Sequence, residues 1–113
     1  MLKARRTIQA FDDGAVSICS LEEDGSLTVK YPLLRYAERT VGIKRYYAAM
    51  QENAEIALVI RIHRRDDIST QDVAVIEGAQ YRIRQVQRPA DASPPCCDLS
   101  LEKVVHSYDA GRV

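Results

Sequence analysis

The sequence predicts a mainly β protein, a small single-domain β-barrel with one long flexible loop that has room for a short helix. Three observations carry that expectation. Short β-branched runs recur along the chain, turn-forming clusters separate them, and two of the runs alternate apolar and polar residues. Together these are the marks of several short strands in a small barrel or sandwich. The first run, residues 16–21, holds Val16, Ile18 and Cys19 between Asp12-Asp13-Gly14 and Glu22-Glu23-Asp24-Gly25. Leu27, Val29, Tyr31 and Leu33 then alternate with Ser26, Thr28, Lys30 and Pro32, which is the period of a half-buried strand. Pro32 donates no backbone hydrogen bond, so it places this strand at a sheet edge or ends its regular ladder.

Residues 38–54 fit two structures. Ile43, Tyr46, Tyr47 and Met50 make a helical stripe, and Ala48, Ala49, Gln51 and Glu52 favour helix; Val41 and the tyrosine pair suit a strand equally. After the break at Asn53, Leu58, Ile60 and Ile62 share one face and Val59, Arg61 and His63 the other, as in a strand with one wet face. Arg64-Arg65-Asp66-Asp67 forms a charged turn, and Ser69-Thr70-Gln71-Asp72 leads into Val73-Ala74-Val75-Ile76. Glu77-Gly78 is a tight-turn dipeptide, because the glycine supplies the positive φ of a short hairpin. Residues 79–87 form the next strand. Tyr81 and Ile83 share a face but Val86 has the opposite parity, which predicts a bulge or strong twist near Arg84-Gln85. Pro89 ends this strand, residues 89–97 form an extended connection, and a last strand over 98–105 puts Leu99 and Leu101 on one face. The chain reads as one domain over residues 1–113, with its core at about 7–105 and a polar tail at 106–113, expected to fray from Ser107.

Composition narrows the functional classes. A chain of 113 residues suits one domain with a modest core. The apolar fraction is 46% and the charged fraction 28%, a globular composition. Sixteen basic residues balance sixteen acidic ones, so any grip on phosphates must come from a local patch. No long apolar run follows Met1-Leu2-Lys3-Ala4-Arg5-Arg6, so neither a signal peptide nor a membrane span is expected. Three cysteines, Cys19, Cys96 and Cys97, with two adjacent, do not make a disulfide framework and point to a reducing cytoplasm.

No catalytic residue, metal ligand or cofactor site is expected. Cys19 lies in a strand pattern and reads as a small core residue. One of Cys96 and Cys97 should face inward. His63 belongs to the outward set of its strand, and a solvated or interface role fits it better than general-base chemistry. The acidic clusters lack the ligand spacing of a calcium loop, and no phosphate-binding glycine motif is present. The remaining signal is basic and aromatic. Lys30, Arg35, Arg39, Lys44 and Arg45 are interleaved with Tyr36, Tyr46 and Tyr47. Such a run suits a solvated face over core tyrosines, single-stranded nucleic acid held by phosphate contacts and stacking, or a protein interface. Glu22, Glu23 and Asp24 offer a complementary acidic patch. Opposite patches on one neutral chain suit head-to-tail self-association into a ring.

Four pieces in order resemble the head-closure proteins of tailed bacteriophages, also called head–tail joining, connector or stopper proteins. They are Val41-Gly42-Ile43-Lys44-Arg45-Tyr46-Tyr47-Ala48-Ala49; Ile60-Arg61-Ile62-His63; the stretch from Ile68 through Asp72-Val73 and Glu77-Gly78 to Val86-Gln87; and Leu99-Ser100-Leu101. The resemblance covers residues 25–105 and adds little over the first 24. It implies a phage or prophage structural protein with a small β-barrel that forms a ring at the virion neck and waits in the host cytoplasm before assembly. Such a ring binds portal and adaptor connector proteins and the tail-completion protein, closes the DNA channel after packaging, and touches packaged DNA without reading its sequence. By position, residues 39–53, with Arg39, Lys44, Arg45, Tyr46 and Tyr47, would be the assembly or channel loop. The alternative is a small β-barrel that binds nucleic acid through Lys44, Arg45, Tyr46 and Tyr47.

Overall fold

The computed structural model describes residues 10–39, 56–90 and 92–109. Six strands carry all the regular structure described: β1 (Gly14–Leu21), β2 (Leu27–Glu38), β3 (Leu58–His63), β4 (Asp72–Ile76), β5 (Ala79–Gln87) and β6 (Cys96–Lys103). All neighbouring pairs are antiparallel, and the sheet closes in the order β1-β2-β3-β6-β5-β4. The expected β-barrel is therefore what forms. The region read as helix or strand, residues 38–54, lies almost wholly outside the described residues.

The barrel is filled by inward residues from every strand. Val16, Ile18, Tyr36, Ile60, Ile62, Ala74, Ile83, Cys97, Leu99 and Leu101 are all buried in one cluster. Ile68, from the β3–β4 loop, joins the same cluster. Each such isoleucine or leucine contributes about 1.5–3 kcal/mol by leaving water. The β4–β5 hairpin follows its sequence signal: Glu77 (φ 50°) and Gly78 (φ 83°) are both left-handed, and Ile76 pairs with Ala79 across them. That is the two-residue turn whose twist matches antiparallel strands. The bulge expected in β5 is also present, as a register shift between Ile83 and Gln85, and it leaves Val86 packed against the core.

Strand β2 departs from its simple alternation. Two register shifts against β1 flank Ile18: Val16 pairs with Leu34, Ile18 with Tyr31 and Cys19 with Val29. Each bulge moves the following residues to the other face. Tyr31, Leu34 and Tyr36 therefore face the core, while Val29 is exposed and Leu33 is 70% exposed. Leu33 takes φ 47° and donates its N–H to Ser17 Oγ at 3.2 Å. Pro32 sits in this irregular stretch, where its missing N–H does the least harm. Among the described residues β3 pairs with β2 only at Ala37 and Glu38.

The wet face expected for β3 is dry over Val59 and Arg61 and wet only at His63, which is exposed. Val59 is 1% exposed, and Arg61 sits directly opposite Asp98 of β6. Their side chains, 12% and 6% exposed, form a two-pronged ion pair at 2.7 and 3.0 Å. Of the tail, Tyr108 and Asp109 are docked on the barrel, while His106 and Ser107 are exposed. Tyr108 packs on an outer apolar patch of Cys19, Leu27, Val73 and Val75.

Gly14 faces Tyr36 across the β1–β2 ladder, and a methyl group there would sit 2.6 Å from the tyrosine oxygen and 2.7 Å from Cζ. Gly14→Ala should destabilise the fold by about 1–3 kcal/mol, as overpacking does. The expected readout is a lower urea midpoint at an unchanged m-value. An unchanged midpoint would mean that Tyr36 has room to move.

Candidate assembly surfaces

The acidic patch is the β1–β2 turn itself. Glu22 N–H donates to Ser26 O at 2.8 Å and Gly25 N–H to Glu22 O at 3.0 Å, which closes the loop with Gly25 at φ 90°. Asp24 accepts from both Ser26 N–H (3.0 Å) and Ser26 Oγ (2.7 Å), and these bonds hold its carboxyl below the usual range. Glu22 and Glu23 are exposed. Arg39 follows the far end of β2 and donates its N–H to Val59 O at 2.8 Å. The length of β2 thus separates Arg39 from the acidic turn, and the two lie at opposite ends of the barrel. Lys44, Arg45, Tyr46 and Tyr47 fall outside the described residues.

The basic run does not form one patch over its described part. Lys30 is drawn to the barrel mouth, where Nζ donates to Asp72 Oδ2 at 2.8 Å and to Asp67 O at 2.7 Å. Arg35 stays exposed, with Nε on Phe11 O at 3.3 Å. Tyr36 is inside the barrel, and burial there pushes its hydroxyl pKa up.

The β3–β4 loop folds beneath that mouth and is tied from several sides. Tyr31 donates its hydroxyl to Asp67 Oδ1 at 2.6 Å, and the Arg65 guanidinium lies 5.4 Å from the centre of the Tyr31 ring. Arg64 N–H donates to Pro95 O at 3.0 Å, and Arg88 reaches the carbonyls of Asp66 and Ile68 at 3.3 and 3.2 Å. The Tyr31 hydroxyl holds the Asp67 carboxyl below the usual range, and Arg64 does the same for Asp66.

A second cationic surface, not singled out from the sequence, runs along β5 and β6. Arg82, Arg84 and Lys103 are exposed there, and one carboxylate, Glu102, pairs with Arg84 at 3.4 Å. Two shallow grooves of about 380 and 400 Å³ share Arg82 and Arg84, and the second is walled by residues 104–106 and Tyr108. Its signal was the alternation of Arg82 and Arg84 around inward Ile83.

The groups with potential chemistry are placed as follows. His63 is exposed, and its ring lies 4.1 Å from that of Phe11. All three cysteines are buried and free: Cys97 faces the core and Cys96 the opposite side of β6. Cys19 is buried as expected, but on the outside of the barrel beneath Tyr108. Burial pushes the thiols of Cys19 and Cys96 up, away from the thiolate that a nucleophile needs. No protein-family model matches the chain, and no curated protein matches it.

The depressed carboxyls set an expected pH response. A carboxyl whose pKa is lower in the folded state contributes stability above its unfolded value, near about 3.9, and loses it as pH falls through the folded value. The thermal midpoint should therefore drop on acidification below about pH 4. Tyr31→Phe should lower the midpoint at neutral pH, with the gap to the parent narrowing as Asp67 protonates. A gap independent of pH would exclude this coupling.

Proposed function

We propose that this chain is a structural assembly protein of a tailed-phage particle, which joins head to tail and closes the portal channel after packaging. The observation that carries the reading is the closed six-stranded antiparallel barrel itself, the fold that the resemblance implies; Glu22 and Glu23 lie in the turn at one end of it, and the backbone of Arg39 lies at the other, beside Glu38 and Asp13. Copies that meet head to tail, the acidic turn of one against the Arg39 end of the next, generate a ring when the rotation closes. The resemblance over residues 25–105 supports the same reading and adds portal, adaptor and tail-completion proteins as partners. By position in that resemblance, residues 39–53 would be the assembly or channel loop of the ring.

A second reading, binding to nucleic acid, is favoured by the Arg82, Arg84 and Lys103 surface. Its mark would be a DNA affinity of the free protein that falls steeply with salt.

Deleting the gene and imaging the particles by electron microscopy tests the first reading. Free tails beside heads that package DNA and then lose it are expected. Normal infectious particles would overturn it and leave the nucleic-acid reading. Reversing the charge of Arg39 together with Lys44 should also abolish assembly while leaving the monomer folded; undisturbed assembly would remove the head-to-tail contact.

A further inference from the structure

The outer surface of this barrel carries an apolar patch that the chain covers with its own C-terminal segment. Cys19 on β1, Leu27 on β2, and Val73 and Val75 on β4 point away from the core, yet all are buried. The side chain over them is Tyr108. The attachment is concentrated in two residues. Gln80 clamps the Tyr108 backbone, with Nε2 donating to Tyr108 O at 3.0 Å and Oε1 accepting from Tyr108 N–H at 2.7 Å. Leu27 N–H donates to Asp109 O at 2.9 Å and Asp109 N–H to Gly25 O at 3.3 Å, so that Asp109 bridges Ser26 as a parallel strand would.

The connection between β6 and these two residues is held far less. Val104 N–H still bonds Gln80 O at 3.0 Å, but Val105 is 87% exposed and His106 and Ser107 are exposed. The patch also continues beyond the strap. Leu21 and Val29, opposite Leu27 and Cys19 on the same outer face, are 37% and 43% exposed. Among the described residues β2 has no strand partner on its far side between Leu27, which bonds Asp109, and Ala37. An extended segment arriving there finds backbone groups to pair with and apolar side chains to cover, the two ingredients of strand addition at a sheet edge.

We infer that residues 104–109 form an exchangeable strap, and that the groove formed by the outer patch and the start of β2 is filled by the strap of a second copy when copies assemble. Every bond of the strap is conserved in the exchange, because the same residues meet the same groove. Such swaps are therefore inexpensive. The linker can reach a groove within about 17 Å of the end of β6. The inference does not rest on a phage role; it shares with the ring reading only the premise that copies meet.

Two single variants test it, Ser26→Cys and Asp109→Cys, with one of them enlarged by a fusion tag so that the mixed dimer has its own size. The positions form a bridge in the structure, and the native cysteines are buried. Mild oxidation of the mixture should give a disulfide-linked mixed dimer whose yield rises with protein concentration. Gln80→Ala, which removes the clamp on Tyr108, should lower that yield severalfold. The double variant Ser26→Cys/Asp109→Cys is the control for geometry. If it closes within single chains while the mixture yields no mixed dimer at any concentration, the strap stays on its own barrel and the inference is overturned. Tail exchange with no ring on a portal would reject the assembly reading alone.

Discussion

A six-stranded sheet closes on itself only if its strands bend, and bulges are the means of bending available to an antiparallel ladder. The rest of this structure follows from where those bulges fall. The two in β1–β2 turn Leu34 and Tyr36 inward and send Leu33 outward. They also deliver Lys30 to the mouth of the barrel, within reach of Asp72 and Asp67. The one in β5 restores Val86 to the core after the outward Arg84. Leu33 bears the local cost, since a left-handed branched residue is unfavourable by about 1–2 kcal/mol. Its N–H bond to Ser17 Oγ offsets part of that.

Closure also changes what the outer surface must do. With the interior filled by aliphatic residues, polar specificity moves to the outside of the ladder. The Arg61–Asp98 pair is the clearest case, because it sits on directly opposed residues of β3 and β6. Two charges so withdrawn from water gain little net stability. A slip of one residue, however, would leave both charges buried and unpaired, which is far more costly. The pair therefore penalises wrong register between two strands that are distant in sequence. Lys30–Asp72 plays the same part at the mouth, tying β2 to the start of β4.

Much of this was legible in the sequence, and the misses share a cause. The β4–β5 turn, the β5 bulge, and the inward faces of β3 and β6 were read from local spacing, because local chemistry decides them: Glu77-Gly78, the parity of Val86, the alternation of Leu58, Ile60 and Ile62. The faces of β2 were misread because a bulge flips parity without leaving a turn residue; Pro32 marked an irregularity but not its direction. The burial of Arg61 and the docked tail depend on partners 37 and 28 residues away, Asp98 for Arg61 and Tyr108 for Gln80. No periodicity within a strand encodes such partners. The acidic turn was visible as a cluster, but its opposition to Arg39 needed the course of β2.

That opposition, and the strap, bear on how a closed barrel can associate. A fully paired sheet offers no ladder to a neighbour, so contacts must use turns, loops or tails. This chain keeps a partial exception at the start of β2, where its own Asp109 already pairs. A charged contact between barrel ends sets orientation and encounter rate more than affinity. A strap that carries backbone bonds and an aromatic side chain into an apolar patch supplies hold without ionic strength dependence. If both operate, high salt should slow the meeting of copies yet leave assembled ones together, whereas charge contacts alone would let salt dissolve the assembly.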